Sequence, residues 1–142
     1  MNFDLLIYGS AEYLEMVDLR YKVLRESLGL TFSEQDLADE VNDIFCVCRD
    51  AGRIVGCCIL VPQNDGMMKL RQMAVAPDMQ GRGIGRLILD FAEKTAKERG
   101  FYSVVLHARK VATGFYAKYG YTISGNYFTE VGIPHVKMKK RI

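Results

Sequence analysis

The stretch from Ile44 to Val75 limits the possible folds more than any other. The runs "IFCVCR", "IVGCCILVPQ" and "MMKLRQMAV" are rich in apolar and β-branched residues, and only "DAGR" and "NDG" separate them. Connections this short can only reverse the chain, because parallel neighbours need a crossover of a dozen or more residues. The three runs therefore form an antiparallel meander whose last strand ends at Val75. "APDMQGRGIG" follows directly, and then a helical pattern begins.

In that pattern Ile84, Leu87, Ile88, Phe91, Ala92 and Thr95 trace one face, with Arg86, Asp90, Glu93, Lys94 and Lys97 opposite, and Gly100 closes the helix. "FYSVVLHA" then reads as a buried strand, and "KVATGFYAKY" as a short helix ended by Gly120. "YTISGNYF" and "IPHVKMKK" read as two last strands. Ahead of the meander, "NFDLLIY" is a strand candidate. Leu14, Val17, Tyr21, Leu24 and Leu28 recur at helical spacing up to Gly29. Residues 30–43 are polar and acidic, a loop with room for a short helix behind Ser33. The expected class is α+β: one mixed, mostly antiparallel central sheet flanked by helices. With 142 residues and no low-complexity linker, the expectation is a single domain over residues 1–142.

Composition excludes several functions. Nineteen basic residues against seventeen acidic ones leave a formal charge of +2 with no basic stripe, which does not fit a nucleic-acid surface. The one basic cluster, "KMKKRI", reads as a solvated chain end. The N-terminal stretch has an aspartate where a signal peptide carries positive charge, and no segment reaches the ~18 apolar residues of a membrane span. A soluble, cytoplasmic protein is expected. Cys46 and Cys48 share a strand face, whereas the adjacent Cys57 and Cys58 point to opposite faces. That arrangement suits neither a tetrahedral metal site nor paired disulfides, so the four read as free cysteines packed in the core.

Gly81, Gly83 and Gly85 leave main-chain N–H groups uncovered at the start of a helix, where unpaired donors and the helix dipole favour an anion. Arg82 and Arg86 add charge at the rim. The loop lacks the Lys-Ser/Thr of a Walker A motif. It is G-x-G-x-G after an antiparallel strand, so it is not a dinucleotide fingerprint either. Glycines that merely turn the chain would leave the same mark.

Taken with its surroundings, the loop is more specific. Val75-x-Pro77-x-x-Gln80-Gly81-x-Gly83-x-Gly85 resembles the acetyl-CoA signature of the GNAT superfamily of N-acetyltransferases. A second signature of that family is matched downstream by Ala112, Phe115, Tyr116, Lys118, Gly120 and Tyr121. The resemblance covers roughly residues 44–140, and the first strand and helix agree in order. The ending "FTEVGIPHVKM" looks like that of a small bacterial branch of the family.

The resemblance implies an enzyme that moves an acetyl group from acetyl-CoA to a primary amine, of a small molecule or a peptide, by direct transfer. Met73, Ala74 and Val75 would pair with the pantetheine arm, and Gln80, Gly81, Arg82, Gly83, Ile84, Gly85 and Arg86 would hold the pyrophosphate. The N–H near Val75 would serve as oxyanion donor. Tyr116 would be the general acid, although helical spacing without the motif would read it as packing beside Phe115. For the base, Glu130 and His135 are the candidates, with Glu26 and His107 behind them, and a lone histidine is also often a plain core or surface residue. Arg109 stands where many members carry an asparagine, and it would either replace that contact to the cofactor arm or face solvent. "DLADEVND" leans towards a cationic acceptor. C-terminal strands of such folds often lie near dimer contacts, which leaves a homodimer open. The alternative is a non-catalytic module that binds or senses acyl-CoA.

Overall fold

The computed structural model describes residues 1–142. Strand β1 (Asn2–Leu6) leads into helix α1 (Ala11–Leu24) and, after the short helix α2 (Glu34–Ala38), the meander follows as β2 (Ile44–Asp50), β3 (Arg53–Pro62) and β4 (Met67–Val75). Then come α3 (Ile84–Glu98), β5 (Ser103–Arg109), α4 (Thr113–Lys118), β6 (Thr122–Ile123), β7 (Phe128–Glu130) and β8 (Ile133–Arg141). One sheet runs in the order β1-β2-β3-β4-β5-β8-β6, with β7 also paired to β8. Every pairing is antiparallel except β4 with β5, which the α3 crossover makes parallel.

Helices α1 and α3 both pack on β3 and β4 and lie on opposite faces of the sheet. That is why β3 is buried continuously from Ile54 to Leu60 rather than on alternate residues. The tight β3–α3 contact needs Gly56, where a Cβ would come 2.3 Å from Ile88 Cδ1. All four cysteines are free and buried in this core, and burial pushes the Cys57 thiol up to about 12. No helix is long and apolar enough to cross a membrane.

Three local expectations need correction. The buried face of α1 is Tyr13, Met16, Leu19 and Arg20, while Leu14 is 61% exposed. Arg20 is wholly buried because Glu40 meets it with bonds of 2.8 and 2.5 Å, and Glu40 also accepts from the Tyr13 hydroxyl at 2.8 Å. A charged residue inside and a leucine outside rotate the apparent stripe. On α3, Leu89 is buried in place of Leu87, the two flanking Ile88 on either side. Lastly, "KMKKRI" is no loose end. Its residues continue β8, hydrogen-bonded beside β5, and Lys140 bonds Glu93 at 2.8 Å.

Candidate active site

The parallel β4–β5 pairing runs only from Met67/Ser103 to Leu70/Leu106. Beyond it the two strands part. The cause lies in β4, where the register against β3 slips by one residue between Arg71 and Ala74 and Gln72 takes a left-handed φ of 56°. This is a β-bulge, which bends its strand away from the neighbour. A cavity of about 700 Å³ fills the gap, floored by β4 residues 69–75 and β5 residues 106–109 and closed by Arg25, Tyr116 and Glu130.

Ala76 N–H donates to Val55 O at 2.8 Å. The alternation of an antiparallel ladder then turns the amides of Ala76 and Ala74 towards β3 and that of Val75 away from it. The Val75 carbonyl, likewise turned away, accepts from Gln80 Nε2 at 3.0 Å. Of the trio Met73, Ala74 and Val75, all line the cavity, but the main chain of Ala74 is committed to the sheet.

The glycine loop forms a second cavity of about 370 Å³, which shares Val75, Gln80, Gly85 and Phe115 with the first. Gly81 and Gly83 have φ of 78° and 79°, a region that other residues enter only with strain, and a Cβ at either would project into open space. Gly83 caps α3 without a side-chain bond, and the first turn carries no acidic residue. The N–H groups there are thus unpaired and unopposed. Gly85 is needed for closeness instead, since a Cβ would meet the Phe115 ring at 3.3 Å. Ile84 and Arg86 line this second cavity, whereas Arg82 lines neither. These groups fit a pyrophosphate.

Tyr116 projects from α4 into the first cavity, with its ring edge-on to Phe115 and Tyr121. Its hydroxyl makes no hydrogen bond within the chain, unlike that of Tyr121, which donates to Glu93 at 2.9 Å. Burial, reinforced by Cys58, pushes the Tyr116 phenol well above its ordinary value, so it holds its proton at neutral pH.

Across the cavity, Glu130 joins both histidines. Its carboxylate lies 3.0 Å from His107 Nδ1 and 3.6 Å from His135 Nε2. Burial pushes the Glu130 carboxyl up, but the His107 hydrogen bond and the nearby His107, His135 and Lys69 charges outweigh it and leave it below the usual range. Nδ1 of His135 faces the Ile133 carbonyl at 2.9 Å, and the ring is nearly enclosed. His107, ranked low from sequence, is the more open ring, and its Nε2 has no partner in the chain. No sequence signal joins these three residues; the β5–β8–β7 register does. Glu26 lies outside the cavity, in the turn after α1. Arg109 lines the cavity rather than facing open solvent, and its Nη2 donates to Leu24 O at the end of α1, 3.2 Å away.

A family model described as an acetyltransferase (GNAT) domain matches residues 22–142. The chain belongs to the GNAT acetyltransferase family. Among curated relatives, the uncharacterized protein YyaT of Bacillus subtilis is 42% identical over 74 residues, 52% of this chain and 50% of that protein. The uncharacterized N-acetyltransferase YjcF of the same organism is 36% identical over 78 residues, 54% of this chain and 56% of that one. The chain thus spans about half the length of the curated relatives it matches. A solved structure from Lactobacillus plantarum, assigned as an N-acetyltransferase, superposes with a TM-score of 0.86 at 26% identity over 99% of both chains. An aminoglycoside 6'-N-acetyltransferase complexed with coenzyme A shares the fold, with a TM-score of 0.82 at 17% identity over 99% of this chain and 97% of that one.

Proposed function

We propose that residues 1–142 act as one N-acetyltransferase domain that moves the acetyl group of acetyl-CoA to the primary amine of a small acceptor. The observation that carries this reading is the parting of β4 and β5, which opens one cleft to the Val75 amide, the uncapped start of α3 and the Tyr116 hydroxyl. The GNAT neighbour solved with coenzyme A supports the choice of donor. When bound, the donor supplies the thioester. Gln80 to Gly85, with Arg86 at the rim, hold the pyrophosphate and so fix the reacting carbon beside Val75. The Val75 N–H donates to the oxygen that becomes negative as the amine attacks.

Two protons must move. Tyr116 holds its proton and gives it to the departing sulfur. The amine's proton goes to His107, whose Nε2 is vacant while Nδ1–H donates to Glu130. Glu130 is then a positioning residue, its carboxylate stabilised in the charged form that holds the ring. His135 is nearly enclosed and donates Nδ1–H to the Ile133 carbonyl, so the more open His107 is the base in this reading.

The test is thiol release from acetyl-CoA across a panel of primary amines, with acetyl-CoA affinity measured separately. Tyr116→Phe should lower kcat on the order of 100-fold or more and leave that affinity in place. Binding of acetyl-CoA without turnover of any amine would point instead to a sensing module, and an unchanged kcat in Tyr116→Phe would remove the acid role.

A further inference from the structure

The half of the cleft opposite the glycine loop is strongly and unexpectedly basic. Side chains of Lys69 and Arg71 on β4 share a sheet face with Val105, His107 and Arg109 on β5, as the parallel register and strand alternation require. Next to β5, His135 and Lys137 of β8 pair with Arg109 and His107 and continue that face. The end of α1 lies over it and adds Arg25, whose Nη1 donates to Leu24 O at 3.3 Å, the same carbonyl that holds Arg109.

Arg25, Lys69, Arg71 and Arg109 therefore line one cavity, where the only carboxylate is Glu130. None of the four forms an ion pair; Glu130 is hydrogen-bonded to His107 and acts on Lys69 only across the cavity, too weakly to offset burial there. Arg71 pairs with Ile59 through the β3–β4 ladder, but its guanidinium has no hydrogen-bond partner. Asp36 and Asp43 stand close enough for Arg71 to influence them, but neither reaches ion-pair distance or lines the cavity. The crowding is felt within the cluster. Burial first, then Arg109, Arg20 and Arg71, hold the Arg25 guanidinium below its usual value, and burial with Arg71 does the same to Lys69.

A set of unneutralised cations in a half-enclosed cleft focuses positive potential there, and an anion relieves it. Guanidinium groups match carboxylate and phosphate oxygens in paired geometry. The donor's pyrophosphate does not account for them. It fits the other cavity, which shares Val75, Gln80, Gly85 and Phe115 with the cleft but none of the four cations. Most of the acidic segment that suggested a cationic acceptor is engaged elsewhere: Glu40 is buried against Arg20, Asp36 caps α2 through Ser33, Asp39 accepts from Gln35, and Asp43 does not line the cavity.

We propose that Arg25, Lys69, Arg71 and Arg109 form the anion-binding half of the acceptor site, so that the acceptor is a primary amine that also carries a carboxylate or phosphate. This rests on the acetyl-transfer reading above. Arg71, with every guanidinium donor unused, is the principal contact, while Arg25 and Arg109 are pinned at the C-terminal end of α1.

The experiment compares kcat/KM for paired amines: glycine and β-alanine against their amides, O-phosphoethanolamine against ethanolamine, and spermidine as a cation. Each amide has the less basic amine, which biases the comparison against the proposal. The anionic member of at least one pair should be favoured on the order of 10- to 100-fold, and which pair responds separates carboxylate from phosphate. Arg71→Gln and Arg109→Gln should collapse that ratio while the KM for acetyl-CoA moves far less. Equal rates within every pair, a preference for spermidine, or an effect confined to acetyl-CoA would each overturn the proposal. In parallel, calorimetry with glutarate and inorganic phosphate reads the site without turnover. Binding to the wild type that Arg71→Gln abolishes would keep the anion site even if no amine is acetylated, and in that event the acetyl-transfer reading alone fails. No binding of either anion and no charge preference would sink the anion site.

Discussion

Replacing Glu40 by alanine should be among the most damaging single changes outside the cleft. Arg20 is wholly buried, and its two bonds to Glu40 are its only charged contacts; Nε already lacks a partner. Without Glu40 the guanidinium stays enclosed with no counter-charge, since Phe32, 4.7 Å from it, offers only a ring face. The Tyr13 hydroxyl loses its acceptor as well. Breaking a buried pair from one side costs about 3–5 kcal/mol. That is a large share of the roughly 5–15 kcal/mol that holds a typical domain together. At about 2–4 °C per kcal/mol for a chain near this size, the melting temperature should fall by about 10 °C. Urea denaturation with matched thermal scans gives both numbers. The triple variant Tyr13→Phe, Arg20→Met, Glu40→Leu removes both charges and the hydroxyl together and should recover most of the loss, because apolar replacement of a buried pair is often neutral or better. A loss below about 1 kcal/mol in Glu40→Ala, or a triple variant as unstable as the single one, would refute the reasoning.

Gly83→Ala places a Cβ on a left-handed residue and should cost about 1–2 kcal/mol in a denaturation midpoint. It should also weaken acetyl-CoA binding by titration, because the Cβ projects into the open space of the loop. Glu130→Gln should change the acid limb of stability. The folded carboxyl lies below its ordinary value, so its contribution is present above about pH 4 and is lost as pH falls through the folded value. Urea midpoints followed from neutral pH downwards should therefore show the wild type and the variant converging in acid, and a constant gap would contradict this.

Much of the fold was legible because its signals are local. The "DAGR" and "NDG" reversals, the glycine stops and the amphipathic pattern after Gly83 each act within a few residues, and the meander and α3 appear where expected. By contrast, "YTISGNYF", read as one strand, is β6 and the start of β7 with a break between them, and α1 ends at Leu24 rather than running on to Gly29. Polar partners hid the rest. The face of α1 was misread because Arg20 is an inside residue only once Glu40, twenty positions on, arrives to neutralise it.

By itself the sequence determined the antiparallel meander, the buried thiols and the glycine loop that opens α3, since a turn and a left-handed φ are properties of short segments. Only the tertiary structure decided what faces the glycine loop. The bulge at Gln72 parts β4 from β5, the α3 crossover sets those strands in parallel register, and β8 and β7 bring Glu130 to His107. Lys69, Arg71 and Arg109 look like scattered surface charge along the chain. They become one basic wall with Arg25 because strand alternation and register, not sequence proximity, determine which side chains share a face.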